Sequence, residues 1–65
     1  MDLTDLKQLE GKNVWTVLKN NFEYNGLVEK VHDAGNGLIF IHLTDKFGKL
    51  VMFTSDEIKL LQEKK

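Results

Sequence analysis

Phe22-Glu23-Tyr24-Asn25-Gly26-Leu27-Val28-Glu29-Lys30-Val31-His32-Asp33 is a run free of proline and rich in aromatic and β-branched residues. That composition predicts a strand about twelve residues long, over 22–33. Alternation divides its apolar side chains between two faces, with Phe22, Tyr24 and Val28 on one and Leu27 and Val31 on the other. Gly26 stands in the middle. A glycine inside a strand marks a bulge or a sharp bend, and a long strand bent there can belong to both sheets of a small barrel.

Working outward, residues 12–19 (Lys-Asn-Val-Trp-Thr-Val-Leu-Lys) read as the preceding strand, and Asn20-Asn21 as a turn that tolerates left-handed backbone. Ala34-Gly35-Asn36-Gly37 is a second turn. The strand after it, 38–44, places Leu38, Phe40, His42 and Thr44 on one face and Ile39, Ile41 and Leu43 on the other. Residues 45–49 form a hairpin loop with Gly48 placed for positive φ. A fourth strand follows at 50–54, then a tight connection through Thr54-Ser55-Asp56-Glu57 and a short fifth strand at 58–62. The basic tail Lys64-Lys65 is expected to fray. Upstream, residues 2–10 read as a short helix with Asp2 or Thr4 as N-cap, Asp5 in the first turn, a Leu3, Leu6, Leu9 stripe and Gly11 as the stop. Such a helix is too short to persist alone, so its leucines must dock; a helix capping the open end of a sheet meets that need. The expected fold is mainly β: a short N-terminal helix followed by a five-stranded, strongly bent antiparallel SH3-like barrel. An OB-fold usually places a helix between its third and fourth strands, where this chain has only a hairpin loop.

The chain has 65 residues, no Cys, no Pro, nine Lys, no Arg and ten acidic residues, for a net charge of −1. This describes one domain, residues 1–65. Burial of about 4,000 Å² of apolar surface contributes about 100 kcal/mol. Ordering the chain costs nearly the same. A domain so close to balance needs a staple. Without Cys, disulfides and thiolate metal sites are excluded, and His32 and His42 are too few for a closed structural zinc site, so no metal or other cofactor is expected. Association with other copies is the remaining device. No apolar run approaches the roughly 18 residues of a membrane span. The acidic opening Met1-Asp2-Leu3-Thr4-Asp5 lacks the basic start of a signal peptide, which points to the cytoplasm. Without Arg there is no bidentate or stacking recognition of phosphate or guanine. No nucleophile–base pair or converging carboxylates suggest an enzyme.

The segment Gly11-Lys12-Asn13-Val14-Trp15-Thr16-Val17-Leu18-Lys19-Asn20-Asn21, followed by Glu23-Tyr24-Asn25-Gly26-Leu27-Val28 and on to Asp33, resembles the first motif of the Sm-like (LSm) family. That motif is an apolar strand, a turn and a bent strand with an aromatic two residues before a glycine. The short helix and the tail around Ile58-Lys59-Leu60-Leu61 fit as well. The resemblance implies a homo-oligomeric ring of about five to eight subunits, in which the fourth strand of one protomer pairs with the fifth of the next. Leu50, Val51, Met52 and Phe53, with Ile58 and Leu60, would form that interface. The alternative for Lys49, Lys59 and Glu63 is that they blunt the edges of a monomer.

The same resemblance implies single-stranded RNA bound around the pore by two loops. Counting from Gly26, the base-contacting asparagine falls on Asn36, and the orienting aspartate falls on His32 with Asp33 adjacent. The stacking position falls on Ala34, which has no ring. The second loop, Thr54-Ser55-Asp56-Glu57, is polar to acidic where the family carries cations, and carboxylates repel phosphate. The candidate RNA contacts are therefore His32, Asp33, Asn36, Thr54 and Ser55. The alternative is an assembly module for protein partners with the RNA pocket lost. From the residues themselves, Asn36 reads as a turn residue, His32 and His42 as half-exposed sheet residues, and Trp15 and Tyr24 as packing residues. Phe47, at a hairpin tip, is either a contact for another protein or a base, or folds back over the barrel end.

Overall fold

The computed structural model describes residues 3–64. A short helix α1 (Leu3–Lys7) precedes five strands: β1 (Asn13–Leu18), β2 (Glu23–Asp33), β3 (Ile39–Asp45), β4 (Leu50–Thr54) and β5 (Ile58–Glu63). The strands form one antiparallel sheet in the order β4-β3-β2-β1-β5. The sheet curls without closing, since β4 and β5 are its two ends. One five-residue helix cannot cover a five-stranded face, so the sheet must cover itself. Val14 and Leu18 of β1, Val28 and Val31 of β2, Ile39, Ile41 and Leu43 of β3, and Phe53 of β4 accordingly form one buried cluster with Leu6 of the helix.

β2 is shared between two partners. Residues from Glu23 to Leu27 pair with β1, and those from Gly26 to Asp33 pair with β3. At the crossing, a Cβ on Gly26 would lie 2.1 Å from the Thr44 carbonyl oxygen and 2.8 Å from Asp45 Cα, so only glycine lets β3 approach there. The bulge itself lies further on. Val28 pairs with Leu43 and Lys30 with His42, which leaves Glu29 as the extra residue. This corrects the simple alternation: Val28 and Val31, three apart, both face the core because the bulge resets the parity. Phe22 is corrected too. It precedes the strand and is exposed.

The helix is shorter than the 2–10 expected, and single turns carry the chain from residue 8 to 12. Asp2, one of the two expected caps, lies outside the described residues. Gly11 adopts φ 82° and turns the backbone onto the side of β2 that β1 leaves free. Its N–H donates to the Val28 carbonyl at 2.8 Å, and the Val28 N–H donates to the Lys12 carbonyl at 3.0 Å. Glu10 then accepts the Val31 N–H at 2.7 Å. The helix therefore seats Leu6 in the core while its exit segment finishes the hydrogen bonding of β2. The tail is also more ordered than expected: the Lys64 N–H donates to the Asn13 carbonyl at 2.8 Å and its ammonium to Asn25 Oδ1 at 2.9 Å. Lys65 lies outside the described residues. No helix among the described residues is long and apolar enough to cross a membrane.

Candidate functional site

Three surfaces carry chemistry, and the first is the pair of sheet edges. Phe53 is buried, so its neighbours Met52 and, two residues back, Leu50 project outward from β4. Leu50 is 61% exposed and Met52 57%, while Leu60 on β5 is 41% exposed. Val51 and Ile58 are half-buried and pack against the core. Phe53, expected at the interface, is instead a core residue of its own chain.

The second surface is the end of the sheet where the β2–β3 turn meets the β4–β5 connection. It gathers the residues expected to contact RNA. Phe40 pairs with His32 on one side and Thr54 on the other, so these three form a row across three strands. Asp33 accepts the Gly35 N–H at 2.8 Å, and Gly35 and Gly37, both with positive φ, bracket Asn36 in an exposed turn. The β4–β5 connection is a 3-10 turn, Ser55–Glu57. Within it, Glu57 Oε1 accepts both the N–H and the hydroxyl of Thr54 at 3.0 Å. Thr54 is thereby committed to its own turn, Ser55 is half-buried, and Asp33, Asp56 and Glu57 give this end acidic character.

The third surface was not foreseen. On the outer face of the bend, Asn13, Asn25, Leu27, Thr44, Asp45, Lys46 and Lys64 line a groove of about 560 Å³ over the Gly26 backbone. A smaller hollow of about 320 Å³, lined by Glu23, Tyr24, Asn25, Asp45, Lys46 and Phe47, involves several of the same residues. Phe47 stays exposed rather than folding back, with the Lys46 ammonium 5.3 Å from its ring centroid. These residues come from four separate stretches of chain. The one sequence signal was Gly26, whose bend was legible while the groove over it was not. Trp15 also faces outward, its indole N–H donating to Glu23 at 2.7 Å. Comparison with protein-family models, curated proteins and solved structures finds no match.

Proposed function

We propose that this chain is a cytoplasmic assembly module that forms a closed homo-oligomer of the Sm-like kind, joining the β4 edge of one copy to the β5 edge of the next. One observation carries it. Of the five large apolar side chains exposed among the described residues, three (Leu50, Met52 and Leu60) sit on the two unpaired edges. An apolar edge with free N–H and C=O groups is a template for a further strand. Val51 and Ile58 extend the contact inward, and Phe53 braces β4 from the core.

The test is mass. Light scattering at micromolar concentration is expected to give several times the 7.5 kDa of one chain, and Leu50→Lys to return it to that single-chain mass with unchanged circular dichroism. A wild-type chain that stays at 7.5 kDa and melts cooperatively overturns the assembly.

Single-stranded RNA is the second reading, and the groove favours it over the turns. Lys46 and Lys64 supply cations, Asn13 and Asn25 amides, and Tyr24 and Phe47 rings on which bases can stack. Anisotropy with oligo-U and oligo-A across a salt series tests it. Saturable binding should weaken with salt, and Lys46→Glu with Lys64→Glu should flatten that dependence by about 1.4 in log–log slope, at roughly 0.7 per phosphate contact. Asn36→Ala should leave it unchanged. Absence of binding at low salt leaves a protein assembly alone.

A further inference from the structure

His32 on β2 and His42 on β3 are both half-buried on the outer face, and they lie diagonally across the ladder. His32 pairs with Phe40, and His42 with Lys30. The offset brings Nδ1 of His32 to 3.3 Å from Nε2 of His42, with ring centroids 5.1 Å apart. The Phe40 ring stacks on His32 at 5.5 Å with planes 20° apart and limits its rotation. Two imidazole nitrogens each about 2.0–2.1 Å from one metal ion, at a tetrahedral or trigonal angle, stand about 3.3–3.6 Å apart. The pair already has that spacing. In the next strand Met52 is the register partner of His42 and projects to the same outer face. Opposed residues of an antiparallel ladder have Cβ atoms about 4.5–5.5 Å apart, so the flexible thioether can reach the same ion.

We propose that His32, His42 and Met52 form a binding site for a soft monovalent metal ion, with Cu(I) as the ion of choice. The donors are two imidazoles and a thioether, a soft set that suits Cu(I). All three are neutral as ligands. Among the described residues no third His, Cys, Asp or Glu joins the two histidines in a metal-holding group, which leaves the Met52 thioether as the third donor. Lys30, the other register partner of His42, adds positive charge, which penalises a divalent ion more than a monovalent one. Glu29, also nearby, is engaged with the Thr44 hydroxyl at 2.9 Å. Binding requires His32 to carry its proton on Nε2 and His42 on Nδ1, so that both facing nitrogens present lone pairs. Where one ring donates to the other in the ion-free pair, that proton passes through solvent to the far nitrogen of the same ring, and no net redox change is involved.

Met52 also belongs to the apolar β4 edge, but the metal site lies within one chain and is read by ion titration, whereas assembly is read as mass, so the two proposals fail by different measurements. Untagged protein is titrated anaerobically with Cu(I) against a chromophoric chelator, and with Ag(I) as an oxidation-resistant d10 stand-in for NMR. Saturation at one ion per chain is expected, with shifts of the imidazole ring protons of both histidines. His32→Asn and His42→Asn should each weaken Cu(I) by at least about tenfold, the scale on which even outer-shell partners act. Met52→Leu should weaken Cu(I) while leaving any Zn²⁺ affinity unchanged. Light scattering on the same samples reports the oligomer independently. Stationary histidine resonances, or stoichiometric binding that survives the double histidine substitution, overturn the site. A Cu(I) affinity indifferent to Met52→Leu overturns the proposed donor set.

Discussion

The two halves of β2 negotiate the same bend by opposite means. At the first, where β1 and β3 both press on the strand, the chain leaves a side chain out at Gly26 so that the Thr44 carbonyl can come close. At the second, it puts a residue in. Glu29 bulges out of the ladder, and a carboxylate from the N-terminal segment, Glu10, takes up the Val31 N–H. A missing Cβ is an all-or-nothing condition set by backbone atoms, whereas a borrowed carboxylate is a graded one. The outer chemistry divides along the same line. The first half carries the groove with its lysines and amides, and the second carries the histidine pair and leads into the acidic turns.

The difference predicts its largest effect at Gly26. Gly26→Ala forces a Cβ to 2.1 Å from a backbone oxygen, and no rotamer change relieves that. Overpacking usually costs about 1–3 kcal/mol and more where the backbone itself must shift. A loss of about 3 kcal/mol or more is expected in urea unfolding, a large share of the stability of so small a domain. A Gly26→Ala chain as stable as wild type would mean that β3 is free to slide away, and would move the origin of the bend to Glu29.

In the second half the expected cost is smaller. Glu10→Ala leaves the Val31 N–H without its partner, worth about 2 kcal/mol for a bond to a charged acceptor. Glu10→Gln, which keeps an accepting oxygen, should lose less than half of that. Hydrogen exchange at the Val31 amide reads the effect locally. It should accelerate in Glu10→Ala well before the amides of Ile41 or Leu43 do. Equal acceleration throughout the sheet would make Glu10 a general contributor rather than the specific closure of the second half.

The same contrast explains what the sequence disclosed. The inward set Ile39, Ile41 and Leu43 was legible because alternation is a local property and β3 has no bulge on its own side. The bend at Gly26 was legible because glycine is rare in strands for a stated steric reason. The bulge was hidden: Val28-Glu29-Lys30-Val31 offers no residue that marks which one is extra, and that choice is made by pairing with β3. Thr16 was hidden likewise. It sits fully buried in the core because its hydroxyl reaches the Leu60 carbonyl at 2.9 Å, a partner distant in sequence. The histidine pair needs the hairpin register of 32 with 40 before the diagonal to 42 can be seen. The groove needs four stretches assembled at once. Local rules found the strands, and the chemistry between strands awaited the register.

The smallest effect sharpens the contrast most. Gly35 has φ 102°, and a Cβ added there meets nothing within 4 Å. Gly35→Ala therefore tests conformation with no steric neighbour, where Gly26→Ala tests the neighbour. An L-residue held in the left-handed region costs about 1–2 kcal/mol, and the Asp33 bond to the Gly35 N–H resists any relaxation that would remove the cost. About 1 kcal/mol is expected, near a third of the effect at Gly26. Chirality separates the two causes. A synthetic chain with D-alanine at 35 accepts positive φ without penalty and restricts the unfolded state, so it should match or slightly exceed wild type in stability. If D-alanine at 35 is as damaging as L-alanine, the turn is limited by space after all, and the distinction drawn between the two glycines fails.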